Sequence, residues 1–576
     1  MIIGFRNSEW PWTFCSTWTK IGTYKFRLKN QRKLVKYIEL FAGCGGLSLG
    51  LKSVGYELVI ANELSPMAAE SYAYNFFDEN LQEQASLKSP KLKKTYWLSS
   101  QFPKSSLSSR LRENPYNFPA LGSGYSDINP DSTNLKGSLI VGSIVDLNVW
   151  LEQNSKVTAN LKAGFDGGGV DLVSGGPPCQ SFSMAGLRKQ DCAKNSLPWE
   201  FAKFAKTINP KIVLLENVTG ILRPFKDENG KEYYAWFELA KAFAAIGYVP
   251  LCLHVNAKFA GVPQNRPRFI LMGVRKDFFD QLSQTFNASE KSLFSQPLNF
   301  YNLTKHDHDV DLSSLKYFDV SKQDDFKLYK DSFLAPLVAH SESLVSVFDA
   351  IDDLRLNGSL SSKFAQSTFN VFQKTLNKCA MKNHDLRSNN ELVKRRFRIY
   401  QVLQKVTRST QKQVSSVMKG DSDSISTDSW KELANFDYLI ESGKLIKFKL
   451  KKDFVEYLKG HKTKKQTQKA LIANQPAPAA LSIPDDACHY EELRTLTVRE
   501  MARIQSFPDN FEFRSKVTTG GKMRSFEVPQ YTQVGNAVPP LLGRALGLAI
   551  SNLLSRHLTS HLDQPTKVSK IEFEAA

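Results

Sequence analysis

A cysteine on a stiff turn is the first group in the chain that could do chemistry. It lies in the segment Gly175-Gly176-Pro177-Pro178-Cys179-Gln180-Ser181-Phe182-Ser183, directly after the apolar, strand-like run 170–173. Two glycines allow a tight turn and two prolines stiffen it, which presents the thiol at the carboxyl end of a strand. A free cysteine is more often buried and structural, but the polar residues that follow Cys179 favour a nucleophile.

Three charged side chains are predicted to share that edge of the sheet. Glu216 directly follows the apolar run 212–215. Arg266 and Arg268 alternate at the entry to a strand, which places both guanidinium groups on one face. A salt-bridged acid and a solvated arginine pair are the ordinary explanations for these residues. Combined with Cys179, however, they supply a nucleophile, an acid and an anion clamp.

A glycine-rich turn and a further acid predict a nucleoside site. The strand-like run 34–41 leads into Ala42-Gly43-Cys44-Gly45-Gly46, and residues 47–51 open a helix. A second strand, 57–62, ends at Glu63, whose carboxylate can accept hydrogen bonds from ribose hydroxyls. The spacing is not Gly-x-Gly-x-x-Gly and no phosphate-binding lysine follows. A nucleoside without phosphates, such as S-adenosylmethionine, therefore fits better than a dinucleotide, which stays open as the alternative.

These turns need an alternating α/β framework to position them. Further strand-like runs occur at 139–141, 251–255 and 269–274, and helical stretches near 199–207 and 236–245. We expect a parallel sheet with helices on both faces.

The pattern changes at two places along the chain. Residues 80–137 are rich in Ser, Lys, Asn and Pro and are interpreted as an insertion or a long surface loop. The alternation is lost over 275–490, where aromatic and basic residues interleave, and we interpret this stretch as a second domain. Beyond it, Thr497 and Glu500 predict a capping box at the start of a helix, and a last helix is expected over about 539–554.

Composition narrows the classes of protein. The 576 residues, 41% of them hydrophobic, are enough for several domains. Lys and Arg number 76 against 57 Asp and Glu, and the resulting charge of +19 favours a polyanionic partner, with nucleic acid as the first candidate.

Seven scattered cysteines indicate a reducing compartment, and we expect no metal site, with Cys488-His489 an incidental pair. No run is long enough to span a bilayer and no signal-peptide pattern opens the chain, so a cytoplasmic protein is expected.

Six segments resemble the ordered motifs of the DNA (cytosine-5)-methyltransferases. They are Glu39-Leu40-Phe41-Ala42-Gly43-Cys44-Gly45-Gly46, Gly176-Pro177-Pro178-Cys179-Gln180-Ser181-Phe182-Ser183, Glu216-Asn217-Val218, Gln264-Asn265-Arg266-Pro267-Arg268, Arg499-Glu500-Met501-Ala502-Arg503-Ile504-Gln505 and Gln533-Val534-Gly535-Asn536-Ala537-Val538-Pro539-Pro540. They occur in family order over about 37–550. The resemblance implies an α/β fold: a Rossmann-like S-adenosylmethionine-dependent methyltransferase domain with a second, smaller target-recognition domain.

The same resemblance implies a division of the chain. The expected parts are an N-terminal extension (1–34), a catalytic S-adenosylmethionine-binding domain (35–274, with the insertion 80–137, which has no counterpart in the family), a target-recognition domain (275–490), C-terminal motifs that fold back onto the catalytic domain (491–556) and a tail (557–576).

The implied reaction is methylation of cytosine C5 within a specific double-stranded DNA sequence. The target base leaves the duplex, because C6 cannot be reached within the stack. Cys179 attacks C6, Glu216 hydrogen-bonds or protonates N3, and Arg268 holds O2 with Arg266 in support. The loop 180–186 closes over the flipped base.

The resemblance also implies a cofactor pocket for S-adenosylmethionine. Its residues would be Phe41, Ala42, Gly43, Gly45, Gly46, Glu63, Ile144, Pro178, Leu197, Asn536 and Ala537. A monomer is expected, either paired with a restriction endonuclease or acting alone.

Three other interpretations stay open. A branch of the same family methylates transfer RNA, although the long recognition region favours DNA. The second interpretation is a catalytically silent DNA-binding regulator. The presence of Cys179, Glu216 and the two arginines argues against it. An NAD-linked oxidoreductase is a third, allowed by the glycine turn alone but not by the cysteine motif.

Overall fold

The computed structural model describes residues 34–178, 196–226, 232–306, 310–376, 380–463, 468–479, 483–484 and 487–560. Within these residues, nine strands form one sheet: β1 (Lys36–Leu40), β2 (Glu57–Glu63), β3 (Thr95–Trp97), β4 (Ser138–Val141), β5 (Leu172–Gly175), β6 (Ile212–Val218), β9 (Tyr248–Asn256), β11 (Pro267–Arg275) and β12 (Tyr317–Asp319). The other strands pair in short ribbons: β7 (Phe225–Lys226) with β8 (Glu232–Tyr233), β10 (Gln264–Asn265) with β16 (Ala477–Pro478), β13 (Tyr438–Leu439) with β14 (Leu445–Ile446), and β15 (Lys469–Ala470) with β17 (Ala487–Cys488).

The strand order, β12-β9-β11-β6-β5-β1-β2-β4-β3, creates a switch point at the centre of the sheet. The chain moves from β1 towards β2 on one side and from β5 towards β6 on the other. The loops that follow β1 and β5 therefore meet at the crevice where open α/β sheets bind their ligands.

One strand departs from the predicted parallel sheet. β11 runs antiparallel to both of its neighbours, β6 and β9, whereas the other neighbouring pairs of the described sheet are parallel. The predicted parallel sheet is confirmed for the other strands, and β11 is the antiparallel exception among the described strands of the sheet. The ten residues between β9 and β11 contain no crossover helix, and a connection that short suits an antiparallel pair.

The helices cover the sheet and build the remaining modules. They are α1 (Gly46–Lys52), α2 (Pro66–Phe76), α3 (Leu81–Ala85), α4 (Leu107–Arg110), α5 (Ile144–Gln153), α6 (Ser155–Lys162), α7 (Leu197–Ile208), α8 (Ala235–Ala245), α9 (Lys276–Ser283), α10 (Ala288–His306), α11 (Gln323–Lys330), α12 (Val347–Ile351), α13 (Lys363–Phe372), α14 (Glu391–Leu403), α15 (Arg408–Lys419), α16 (Thr427–Leu433), α17 (Lys451–Lys459), α18 (Val498–Ile504), α19 (Gln530–Asn536) and α20 (Pro540–Ser560). Helix α7 packs against α5, α6 and α8, and α8 in turn packs against α10. Helices α1 and α9 pack against α20.

Residues 80–137 were interpreted as an insertion or a long surface loop, and the surface-loop alternative is wrong. β3 lies within this stretch and pairs with β4 as the edge strand of the sheet. Trp97 is fully buried, and Arg110 forms a buried ion pair with Asp127 at 2.8 Å. The polar composition hides this role because the buried apolar residues are few and widely spaced.

Residues 275–490, which were predicted to form one second domain, contribute to three separate hydrophobic cores. Residues 278–338 contribute to the core of the sheet, and β12 extends the sheet itself. A second core joins α12 and α13 to α18 and α19. A third core is formed mainly by α14 to α17. We therefore propose that the recognition module begins near 340 rather than at 275.

The helix over α18 is confirmed with its capping box. The Thr497 side chain accepts the Glu500 N–H, and the Glu500 side chain accepts the Thr497 N–H.

Among the described residues, no single helix is long and apolar enough to cross a membrane; the stretches Gly521–Asn536 and Pro540–Arg556 meet that test only as a pair bent by 64°.

Candidate active site at the carboxyl edge of the sheet

The loop between β1 and α1 is held in a left-handed backbone conformation. Phe41, Gly43 and Gly45 have φ of 55°, 57° and 97°. A side chain at Gly43 would meet no atom within 4 Å, so this part of the loop faces open space. Phe41 is not a glycine, and such a φ costs it of the order of 1–3 kcal/mol, a strain that clusters at ligand sites.

Glu63 joins the end of β2 to this loop. Its carboxylate accepts the N–H of Gly43 and the N–H of Ser65, each at 2.8 Å. Burial raises the pKa of Glu63, and the two backbone N–H groups oppose that shift. Each oxygen keeps a lone pair that can accept a further hydrogen bond.

The turn after β5 lies directly over Glu216. Asn217 Nδ2 donates to the Pro177 carbonyl at 3.1 Å, and a Cβ at Gly176 would lie 2.9 Å from Glu216 Oε2. The exposed Pro178 is the last described residue of this turn. Cys179 and the predicted closing loop 180–186 lie outside the described residues.

Glu216 forms a buried ion pair with Arg268. Arg268 Nε lies 2.7 Å from Glu216 Oε1, and the two side chains are 10% and 13% exposed. Burial lowers the pKa of Arg268, and the charge of Glu216 opposes this. Glu216 lies inside β6, which continues to Val218, and not after a strand that ends at 215. The acid is thus fixed by the sheet register as well as by its partner.

Arg266 lies near this pair but donates its hydrogen bonds to the C-terminal motif. Its Nη2 donates to the carbonyls of Gly535 and Ala537, at 2.8 and 3.1 Å. Arg266 precedes β11, which begins at Pro267, so strand alternation does not set its direction. The two arginines predicted as one clamp therefore contact different groups.

The C-terminal motif folds back onto the first helix, as predicted. A Cβ at Gly46 would lie 2.2 Å from the Val538 carbonyl, so α1 and this motif touch backbone to backbone. Gln533 Nε2 donates to the Met67 carbonyl at 3.1 Å, and Gln533 Oε1 accepts from Ser71 Oγ at 2.5 Å. Asn536 stays exposed beside this contact.

The remaining predicted pocket residues lie at the starts of two helices. Ile144 is buried and opens α5 after β4, where the Ser143 side chain accepts the Val145 N–H at 3.1 Å. Leu197 opens α7 and is partly buried against the core of the sheet.

A comparison with known families decides the identity. A family model for the C-5 cytosine-specific DNA methylases matches residues 35–110 and 151–552. The chain belongs to this family. The protein is therefore a DNA cytosine-5-methyltransferase.

The methylase is similar to curated bacterial enzymes along most of its length. It is 26% identical over 524 residues to the type II methyltransferase M.DdeI of Desulfomicrobium norvegicum, covering 89% of this chain and 88% of that protein. It is 24% identical over 518 residues to the type II methyltransferase M1.HphI of Haemophilus parahaemolyticus, covering 89% and 86%. Among solved structures, the S. pombe Dnmt2 methyltransferase covers 92% of this chain and all of that chain, with 13% identity and a TM-score of 0.35.

The loop after β1 in the methylase fits a nucleoside without phosphates. No lysine or arginine occurs between Phe41 and Lys52, so the loop offers no cation to a phosphate. Glu63 and the open space at Gly43 instead suit hydroxyl groups and a neutral or cationic ligand. Among the described residues, no three His, Cys, Asp or Glu side chains come together to hold a metal ion.

Two site residues of the methylase have roles that sequence reasoning missed. Asn217 and Gln533 both lie within family motifs, but the motifs alone predict no contact for either residue. Asn217 anchors the turn before Cys179, and Gln533 ties α19 to α2. The available signal was a polar side chain at a buried position of an apolar element, because such a group needs partners.

Proposed function

We propose that the methylase transfers a methyl group from S-adenosylmethionine to C5 of a cytosine in a specific double-stranded DNA sequence. The reaction would proceed through a covalent bond between Cys179 and C6 of a flipped base. One observation carries the proposal: the buried pair of Glu216 and Arg268 lies directly beneath the turn that leads to Cys179.

In this proposal, the chain's own groups act at three atoms of the base: C6, N3 and O2. Glu216 takes up a proton from solvent as the base enters. The Cys179 thiolate then forms a bond to C6 while Glu216 donates that proton to N3, so no full negative charge develops on the ring. Arg268 donates to O2 from its position beside Glu216. C5 becomes nucleophilic, and after methylation it loses its proton to solvent while the S–C6 bond breaks and Glu216 takes back the N3 proton.

The proposed cofactor supplies an electrophilic methyl group when it is bound. Glu63 would accept its ribose hydroxyls, since Oε2 is bound to the loop at Gly43, Oε1 is bound to Ser65, and both oxygens retain lone pairs. Ile144 would contact the adenine. The backbone of Phe41 and Gly43 would approach closely, because the left-handed loop leaves open space there. Asn536 and Ala537 would close the pocket from the C-terminal side.

The third core offers a surface for the DNA backbone. Five lysines lie within nine residues, from the residue before β14 to the start of α17, and we call them the lysine hairpin: Lys444, Lys447, Lys449, Lys451 and Lys452. None of the five has an ion-pair partner among the described residues, and most are exposed. Phe448 packs on Tyr438 and Phe454 beneath them, with ring centroids 5.9 and 5.5 Å away. Unpaired lysines on a rigid base suit phosphate contacts.

A type II modification role is the biological setting that the relatives favour. M.DdeI and M1.HphI are both named type II methyltransferases, and the match to each runs over most of both chains. We therefore propose that this methylase protects one short DNA sequence, either beside a restriction endonuclease or alone.

The proposal is tested by incubating the full chain with tritium-labelled S-adenosylmethionine and either duplex DNA or transfer RNA. Label is expected in duplex DNA at one recurring sequence, which bisulfite sequencing of DNA from expressing cells then reads. Cys179→Ser is the control. Label found only in transfer RNA would show that the substrate is RNA and not DNA. No label in either polymer would contradict the proposed reaction.

A further inference from the structure

Arg266 joins two motifs that are far apart in the chain. Its Nη2 donates to the carbonyls of Gly535 and Ala537, which lie 269 and 271 residues away. Two residues after Arg266, Arg268 pairs with Glu216. The segment 266–268 therefore touches the C-terminal motif at one end and the proposed base-binding acid at the other.

The two carbonyls that Arg266 holds lie on either side of Asn536. This residue ends α19, and Ala537 turns into an extended conformation with φ −62° and ψ 146°. Carbonyls at the end of a helix lack intrahelical partners, and a cation is favoured there. Because the backbone is fixed before and after it, Asn536 is presented to the surface in one orientation while its neighbour Gly535 is buried.

The burial of Arg266 is typical of a fixed support and not of a group that meets a substrate. The side chain is 2% exposed, and burial, followed by the charge of Arg268, lowers its pKa well below the usual range. Nη1 makes only a long contact of 3.4 Å with Gln264 Oε1, and Nε has no partner among the described residues. Asn256 Oδ1 accepts the backbone N–H of Arg266 at 3.1 Å, which anchors the residue from behind.

We propose that Arg266 is a positioning residue: it holds Asn536 in place for S-adenosylmethionine and does not touch the cytosine. This inference rests on the proposed function, because it takes the cofactor from there. It also links the two ligands. Arg266 and Arg268 share one short segment, so ordering the C-terminal motif around the cofactor also orders the pair that receives the base, and each ligand favours the binding of the other.

The test measures binding of S-adenosylhomocysteine to the full chain by calorimetry. Arg266→Gln is expected to weaken binding about tenfold, which corresponds to about 1.4 kcal/mol, or one or two lost hydrogen bonds. Asn536→Ala should weaken it by a similar factor. In the Asn536→Ala background, Arg266→Gln should add less than about twofold, because the residue it supports is already gone. Fully multiplicative losses would overturn the proposal.

Three further measurements separate positioning from general damage. Gln264→Ala is the matched control, since it removes the long Nη1 contact and leaves both carbonyl bonds; it should bind S-adenosylhomocysteine like the wild type. Arg266→Lys keeps the charge and should recover part of the affinity even if Arg266→Gln folds poorly. Hydrogen exchange at residues 535–538 should rise in Arg266→Gln.

The remaining outcomes bear on different proposals. Arg266→Gln could instead bind S-adenosylhomocysteine normally but trap 5-fluorocytosine DNA more weakly. That result would show that Arg266 acts on the base and would overturn the inference. Failure of the wild type to bind S-adenosylhomocysteine would contradict the proposed cofactor itself, whatever the variants do.

Discussion

Arg268 on β11 forms an ion pair diagonally across the antiparallel register with Glu216 on β6, which lies two residues before its direct partner Val218; Nε and Oε1 are 2.7 Å apart. A buried ion pair contributes little net stability, but loss of one partner leaves an uncompensated charge. The pair is therefore better explained by geometry: it holds the acid in one position beneath the turn before Cys179. Arg266 adds a second cation to the same buried cluster, which leaves it with one net positive charge.

Glu216→Gln tests the acid. The amide keeps the shape and can still donate a hydrogen bond to N3, but it cannot transfer a proton. We expect the single-turnover methylation rate to fall by about 10²–10⁴, with DNA affinity nearly unchanged. The melting temperature should also drop, because Arg268 loses its counter-charge. A variant that methylates at the wild-type rate would contradict the role of Glu216.

Cys179→Ser tests the nucleophile. A hydroxyl is far less nucleophilic than a thiolate, so methylation should be abolished while binding to duplex DNA is retained. A duplex with 5-fluorocytosine at the target should form a denaturation-resistant complex with the wild type and not with the variant, because fluorine cannot leave C5 as a proton does. Turnover by Cys179→Ser, or no adduct with the wild type, would exclude attack on C6.

Local signals predicted much of this fold. The glycine turn, the acid that ends β2 and the capping box at Thr497 follow from residue types at short spacing, whereas the return of the C-terminal motif to α1 was implied by the family resemblance. Each depends on contacts between near neighbours or on a motif order that the family shares. Those features are the ones the structure confirms.

Long-range features were the ones that sequence patterns missed. An apolar run does not show which way its strand runs, so the reversal of β11 could not be seen. The alternation that placed Arg266 and Arg268 on one face applies only inside a strand, and Arg266 lies just outside it. Trp97 anchors an edge strand within a polar stretch, where composition gives almost no signal.

Gly46→Ala tests the contact between α1 and the C-terminal motif. The added methyl group would lie 2.2 Å from the Val538 carbonyl, a backbone atom that cannot rotate away. Overpacking of this kind costs about 1–3 kcal/mol, so the melting temperature and the affinity for S-adenosylhomocysteine should both fall. Gly520→Ala is the control, because a Cβ there meets no atom within 4 Å and φ is −134°. Equal effects of the two substitutions would contradict the close approach.

Glu39→Gln tests a buried carboxyl group at the end of β1. Burial raises the pKa of Glu39 to about 8, although Ser48 Oγ donates to its carboxylate. Because the folded state keeps a proton that the unfolded chain loses near pH 4.5, stability should fall as the pH rises from about 4.5 to about 8. Chemical denaturation at pH 5.5 and pH 8 should show this loss in the wild type and a smaller one in Glu39→Gln. The same pH dependence in both proteins would contradict it.

The triple variant Lys447→Gln, Lys449→Gln, Lys452→Gln tests the lysine hairpin as a phosphate-binding surface. Each lysine that neutralises a phosphate releases about 0.9 counterion from duplex DNA, so the plot of log affinity against log salt should become shallower by about two to three. Target and non-target duplexes should lose affinity by the same factor, because phosphate contacts carry no sequence information. The matched control removes three exposed lysines by Lys88→Gln, Lys91→Gln, Lys93→Gln, near the β3 edge of the sheet. If both triple variants lower the affinity equally, the effect is one of net charge and the hairpin is not a DNA contact; if only the target duplex loses affinity, the hairpin reads bases instead of phosphates.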